Sequence, residues 1–198
     1  MTSDFFGTQG KKYQAITADP PWTFEVHSEK GKDRSAEQHY KTMTLSDVQA
    51  LPVSDIAAKD CVLFLWVTMP NLVQGIETMQ AWGFEYKTVA FTWVKRNKNY
   101  SGFFMGLGYW TRANAELCLL GTRGNPKRIN ADVKQLIMSP LREHSRKPDE
   151  VYPCVERLVP GPYMELFARQ RYSEKWDCWG NQTDKFKKRG ALNVGVPE

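Results

Sequence analysis

Asp19-Pro20-Pro21-Trp22 follows a short apolar run, residues 13–18, that reads as a buried strand. Its two prolines fix φ at about −65° and carry no N–H, so the turn is stiff. Asp19 and Pro20 each precede a proline and are biased toward extended backbone, which turns the Asp19 carboxylate and the Pro20 carbonyl outward. These two acceptors can each hold one hydrogen of a planar amino group, while Trp22 stacks on the ring that bears it. A plainer reading makes the segment a proline-stiffened strand end with Trp22 in the core, and four residues are too short to decide. Position says more. Only 18 residues precede Asp19 in this sequence, too few for a nucleotide-binding βαβ half, and neither G-x-G-x-x-G nor a P-loop pattern occurs. A cofactor-binding half is therefore expected C-terminal to the turn, in permuted order.

The chain has 198 residues, 25% of them charged and 41% hydrophobic, as expected of one globular domain with a full core. We read residues 1–198 as a single domain, with 1–12 as an N-terminal arm and 184–198 as a basic, flexible tail. The longest apolar run, 61–67, is strand-sized, so no membrane span is expected. No basic-then-apolar leader is visible at Met1-Thr2-Ser3-Asp4. Cys61, Cys118, Cys154 and Cys178 are scattered without a CxxC, and none of the three histidines pairs with a cysteine at ligand spacing. The expectation is a reduced, cytoplasmic protein with no metal site.

Net charge is +5, a modest basic excess whose distribution matters more than its size. Lys95, Arg96 and Lys98 precede a segment containing Tyr100, Phe103, Phe104, Tyr109 and Trp110, while Arg123, Lys127 and Arg128 follow a strand. Lys185, Lys187, Lys188 and Arg189 form a terminal basic run that also reads as a plain solvated tail. Basic residues interleaved with aromatics suit a polyanion carrying stackable bases.

Further strands are expected at 61–67, 87–94, 116–120, 163–168 and 176–179. Helices are expected from Thr44, which opens a capping-box pattern, through Leu51; from Leu72 to about Gly83; and from Lys147-Pro148 to about Leu158. Residues 23–40 and 95–112 read as long loops, a length usually tied to function or disorder. Strands alternating with helices give an α/β fold, a mostly parallel sheet with helices on both faces, where ligands bind beyond the carboxyl ends of the strands. Asp19 stands at such an end. The Lys147 helix start, the Glu165 strand and the Trp179-Gly180-Asn181-Gln182 end are the candidate cofactor half.

Several segments in order extend the pattern. They are Ala18-Asp19-Pro20-Pro21-Trp22, Tyr40-Lys41-Thr42-Met43, Leu63-Phe64-Leu65-Trp66-Val67-Thr68, Trp93-Val94-Lys95 and Gly121-Thr122-Arg123-Gly124-Asn125-Pro126. They continue with Ser145-Arg146-Lys147-Pro148-Asp149-Glu150, Glu156-Arg157-Leu158, Glu165-Leu166-Phe167-Ala168-Arg169 and Gly180-Asn181-Gln182. Over residues 13–183 the chain resembles the family of the eukaryotic mRNA N6-adenosine methyltransferase catalytic subunit, and most closely its bacterial and phage DNA adenine methyltransferase members.

That resemblance implies a permuted class I, Rossmann-like methyltransferase fold using S-adenosylmethionine, with DNA as substrate and RNA as the alternative. It implies that Asp19, Pro20, Pro21 and Trp22 hold the target amino group and base, with Asp19 also near the donor's methionine end. Ser145 and Lys147 would meet the methionine portion, Glu165 and Arg169 the ribose and its surroundings, and Asn181 and Gln182 the adenine and ribose. The loops ending near Tyr40 and following Lys95 would close over the target, with Tyr40, Lys95, Arg96, Lys98, Tyr109 and Trp110 as substrate contacts. Ala168, Arg171 and Tyr172 depart from the mRNA enzyme, which carries a glycine after the phenylalanine and a His-Asn pair past the arginine. A monomer or homodimer is expected, with a second subunit for target recognition as an option.

Other classes compete. A protein glutamine methyltransferase resembles N-P-P-Y with its cofactor half upstream, the reverse of this order. A non-catalytic nucleic-acid-binding partner tends to lose the turn's aspartate or the cofactor residues, and both sets stand here. Lys147 also reads as a surface charge at a helix start, Glu165 as a strand-end acid paired with Arg169, and Asn181-Gln182 as a simple turn. Trp66 and Trp93 read as core.

Overall fold

The computed structural model describes residues 4–22, 43–108, 110–143, 145–183 and 185–186. The expected loop at 23–40, Tyr40, Tyr109, the three histidines and nearly all of the tail at 184–198 lie outside the described residues.

The strands are β1 (Tyr13–Ala18), β2 (Ala57–Val67), β3 (Glu85–Arg96), β4 (Ala115–Arg123), β5 (Leu136–Pro140), β6 (Tyr163–Leu166) and β7 (Trp176–Trp179). The helices are α1 (Leu45–Gln49), α2 (Leu72–Ala81) and α3 (Val151–Leu158). Among the described residues all seven strands form one sheet in the order β5-β3-β4-β2-β1-β6-β7. Pairing is parallel everywhere except on the two sides of β4, so β4 alone among the described strands runs against the rest. This is the mostly parallel α/β sheet expected.

The period-two alternation of each strand sorts side chains onto two faces. Ile16, Leu63, Leu65, Leu119 and Met164 pack under α1 and α2 against Val48 and Met79. Ala15, Phe64, Trp66, Cys118 and Trp176 pack on the other face with Val155 of α3. A sheet covered on both sides needs apolar residues at consecutive positions, which is why Cys61 to Val67 is continuously buried. At Gly75 of α2 a Cβ would lie 2.4 Å from Val67 Cγ1, so glycine lets the helix sit close on β2.

Helix ends follow their local chemistry. Thr44 caps α1, its Oγ1 accepting from the Asp47 N–H at 3.1 Å. The helix stops at Gln49 rather than Leu51, ahead of Pro52. α3 begins at Val151 rather than at Pro148, with 148–150 forming a preceding turn. Pro153 then falls in the first helical turn, where backbone N–H groups have no intrahelical acceptor, so its missing donor is tolerated. β6 ends at Leu166 instead of continuing to Ala168 because Phe167 adopts φ 62°, which closes extended pairing.

Candidate active site

Six of the described strands point their carboxyl ends to one edge of the sheet, and reversed β4 brings its amino end there. The register places Val67 of β2 opposite Leu117, and Trp93 of β3 opposite Glu116. Asp19, Lys95, Glu116, Phe167, Arg169 and Gly180 therefore gather along this edge, and the loop after β5 returns across it carrying Ser145 and Lys147. The opposite edge receives Arg123, paired in register with Cys61, whose guanidinium donates to the Ser54 carbonyl at 2.9 Å. The basic residues at 123–128 are thus separated from Lys95 and Lys147 by the length of β4.

A ladder of alternating charges occupies the edge. Lys147 Nζ stands 2.8 Å from Asp19 Oδ2 and 3.1 Å from Glu116 Oε2, and Lys95 Nζ stands 2.5 Å from Glu116 Oε1. The four side chains are mostly shielded, Asp19 being the most open at 24% exposure. Burial opposes charge on Asp19, Glu116 and Lys147, and the neighbours decide the outcome. Burial raises the Asp19 carboxyl above its ordinary value, with Lys147 pulling it back. Burial also opposes ionisation of Glu116, yet the Lys147 and Lys95 ammoniums outweigh it and hold the carboxyl down at about 2. Lys147 keeps its proton because Asp19 and Glu116 more than offset its burial.

The loop that delivers Lys147 is itself tied down. Arg142 makes two hydrogen bonds to the Asp149 carboxylate, at 2.7 and 3.0 Å, and donates to the Lys147 carbonyl at 2.6 Å. Arg146 donates to Asp149 and Gln170, and its guanidinium lies 5.0 Å from the centre of the Phe186 ring. Ser145 takes left-handed backbone, φ 59°, at the approach to Lys147. Below the ladder Lys147 Nζ sits 5.5 Å from the centre of the Trp66 ring.

A cavity opens beside the ladder on the α3 side, lined by Asp19, Ser145, Lys147, Glu165, Phe167 and Arg169 among others. This brings together five of the seven residues expected to meet a cofactor. Asn181 and Gln182 follow β7, next to β6, outside that lining; Asn181 is exposed and Gln182 Oε1 accepts from Lys185 Nζ at 3.0 Å. Gly180 holds this segment close, since a Cβ there would come within 2.7 Å of the Ala168 carbonyl oxygen. Glu165 accepts from the Tyr152 hydroxyl, 3.0 Å from either carboxyl oxygen. Burial pushes its carboxyl up to about 8, against the lowering effect of that hydrogen bond.

The turn itself is built differently from a displayed aromatic. Trp22 is 8% exposed and packs with the α1 and α2 core, its indole N–H donating to the Trp66 carbonyl at 2.9 Å. The Pro20 carbonyl accepts the Trp22 N–H at 2.8 Å, which leaves one of its two lone pairs. Among the expected substrate contacts, Lys95 is drawn inward to Glu116, and Arg96 donates to the Tyr100 carbonyl and lies over the Tyr100 ring. Lys98 is exposed, and Trp110 is 90% exposed.

Sequence reading missed Glu116, which is the hinge of the ladder. It looked like a strand residue, and only the reversed direction of β4 brings it to the site. Tyr152, the donor to Glu165, and the Phe5-Phe6 pair, packed against Trp179 with ring centres 5.7 and 5.2 Å away, were also unmarked by any motif.

Comparison with known proteins follows the same span. The MT-A70 family model matches residues 13–182. The type II methyltransferase M.MunI of a Mycoplasma species is 37% identical over 188 residues, covering 86% of this chain and 77% of that protein. The human N(6)-adenosine-methyltransferase catalytic subunit METTL3 is 34% identical over 177 residues, 87% of this chain but 28% of that protein. An MT-A70-like N(6)-adenosine-methyltransferase of Arabidopsis thaliana is 34% identical over 197 residues, 98% of this chain and 26% of its own length.

Proposed function

Because this chain belongs to the MT-A70 family, we propose that it transfers a methyl group from S-adenosylmethionine to the N6 amino group of adenine in DNA. The observation that carries the reading is the Asp19–Lys147 contact at a strand end, which joins the amino-group turn to the expected cofactor half. DNA is preferred over RNA on the resemblance of residues 13–183 to the bacterial and phage DNA members, in keeping with 37% identity to M.MunI against 34% to METTL3.

The cavity's donor set fits the methyl donor. Carboxyl groups at Asp19 and Glu165, an ammonium at Lys147 and the aromatic Phe167 suit a ligand with an amino-acid end, a sugar and an apolar stretch. Lys147 and Ser145 would hold the amino-acid end, and Glu165 and Arg169 the sugar, with Asn181 and Gln182 at the far side. Bound there, the donor supplies an electrophilic methyl group on a sulfonium.

The protein's part is orientation. An adenine amino nitrogen is a poor nucleophile because its lone pair is delocalised into the ring. Asp19 Oδ2 is engaged by Lys147, so Oδ1 takes one amino hydrogen and the free lone pair of the Pro20 carbonyl takes the other. Held by two acceptors, the nitrogen is pyramidal and its lone pair is aimed, a positioning effect rather than a covalent one. The nitrogen would gain the methyl carbon as that carbon's bond to sulfur breaks and leaves a neutral thioether, and it would shed one proton, for which Asp19, raised by burial, is the acceptor in reach. Trp22 braces the turn through Trp66, while the exposed Lys98 and Trp110 offer a phosphate contact and a stacking face. In a duplex the base must leave the stack to reach this edge.

Parallel assays with labelled donor on matched DNA and RNA oligonucleotides test the reading. Label in adenine of DNA is the expected result; label in RNA alone would transfer the proposal to RNA, and label in neither would remove it.

A further inference from the structure

Thr17 lies two residues before Asp19, on the face of β1 that looks toward α3, and is 5% exposed. Its hydroxyl oxygen is buried and has no hydrogen-bond partner among the described residues, although Thr17 lines the cavity. Buried hydroxyls are nearly always partnered, so an orphan on a cavity floor is a position held for something that enters. Its register partners are Phe64 on β2 and Glu165 on β6. Strands in one sheet are about 4.8 Å apart, so Thr17 and Glu165 stand side by side beneath the same space.

Glu165 is under-served as well. Its two carboxyl oxygens share the single hydrogen of the Tyr152 hydroxyl, each at 3.0 Å, which leaves lone pairs on the carboxyl unused even while it holds its own proton. An acceptor lies beside a hydroxyl that can donate. A ligand hydroxyl between them completes both, donating to Glu165 and accepting from Thr17. A methylene at that point completes neither.

We propose that Thr17 is a further donor-binding residue, its hydroxyl donating to one ribose hydroxyl of the bound nucleoside while that same hydroxyl donates to Glu165. This rests on the methyl-donor reading of the cavity. It assigns a role to a strand residue outside every motif in the sequence. It also explains why the free protein carries an unpaired polar atom in its core, a feature that costs stability until the ligand binds.

The test is calorimetric binding of S-adenosylhomocysteine, and of its 2′-deoxy and 3′-deoxy analogues, to the full chain and to its Thr17→Val and Thr17→Ser variants. Valine keeps the β-branched shape and removes only the hydroxyl; serine keeps the hydroxyl. Thr17→Val is expected to weaken S-adenosylhomocysteine by about 3- to 12-fold, the effect of one neutral hydrogen bond. Thr17→Ser should bind within about twofold of wild type. For one of the two deoxy analogues, wild type and Thr17→Val should bind alike. The melting temperature of Thr17→Val should match or exceed that of wild type, because no protein hydrogen bond is lost, whereas a packing role would lower stability and affinity together.

Equal affinity of wild type and Thr17→Val for S-adenosylhomocysteine would overturn the Thr17 assignment and leave the methyl-donor reading standing. An undiminished loss with both deoxy analogues would overturn the ribose contact. Failure of wild type itself to bind S-adenosylhomocysteine would overturn the donor reading, and this inference with it.

Discussion

Lys147 Nζ lies 2.8 Å from Asp19 Oδ2, joining two residues 128 positions apart in the chain. The contact makes one site of the stiff turn and the loop before α3. It also sets the electrostatics, because the same ammonium reaches Glu116 at 3.1 Å and leaves two acids sharing it.

Replacing Lys147 with methionine keeps the stem and removes the charge. Asp19 and Glu116 are then left near one another with Lys95 as the remaining cation of the ladder. Breaking a buried pair from one side costs about 3–5 kcal/mol, and the lower end applies because Asp19 is one quarter exposed. The expected outcome is a fall of about 3 kcal/mol in unfolding free energy by urea titration, with loss of methyl transfer. Lys147→Arg should recover most of the stability.

Glu165 gives the stability a distinct pH dependence. Its folded carboxyl is raised to about 8 from the ordinary 4.5, so the folded state holds a proton that the unfolded chain has released. The contribution is fully present below about 4.5 and is lost as pH rises toward 8. Glu165→Gln carries no such proton. Its melting temperature should be flatter than that of wild type between pH 5 and 8, and the higher of the two at about pH 9. Scanning calorimetry across that range reads the difference.

Lys95 and Lys98 are close in sequence but differ in placement. Lys95 is 17% exposed and bound to Glu116, while Lys98 is exposed. Lys98→Met should reduce the slope of log K against log salt for DNA binding by about 0.7–0.9, the signature of one phosphate contact. Lys95→Met should leave that slope unchanged and lower activity through Glu116.

Trp22 supports the turn from behind. Trp22→Phe loses the hydrogen bond to the Trp66 carbonyl and should cost about 1–2 kcal/mol. Trp22→Ala should cost about 3–5 kcal/mol, as for other large core deletions. An unchanged urea midpoint for Trp22→Phe would mean that the ring does not brace Trp66.

Much of the frame was legible because the strands buried on both faces announce themselves. β1 and β7 appear with the expected bounds, and the 61–67 run marks the core of β2. β5 was missed: five residues at a sheet edge, with Leu136 and Met138 exposed, carry neither a long apolar run nor a clean polar alternation. Strand direction is invisible in composition, so the reversal of β4 was unreadable, and with it the arrival of Glu116. Asp19, Lys147 and Glu165 were legible because charged residues at strand ends or helix starts need a reason. Thr17 was not, since a threonine in a strand needs none.

Whether Asp19 holds the reacting amino group is decided by incubating wild type and Asp19→Asn with labelled S-adenosylmethionine and adenine-containing duplex DNA, then identifying the labelled base after digestion. Asparagine keeps the shape but replaces a charged acceptor with a neutral amide, so Asp19→Asn should form N6-methyladenine about 10²–10³-fold more slowly while remaining folded. N6-methyladenine at the wild-type rate in Asp19→Asn would rule out that role for Asp19, and none in wild type would rule out adenine methylation of DNA.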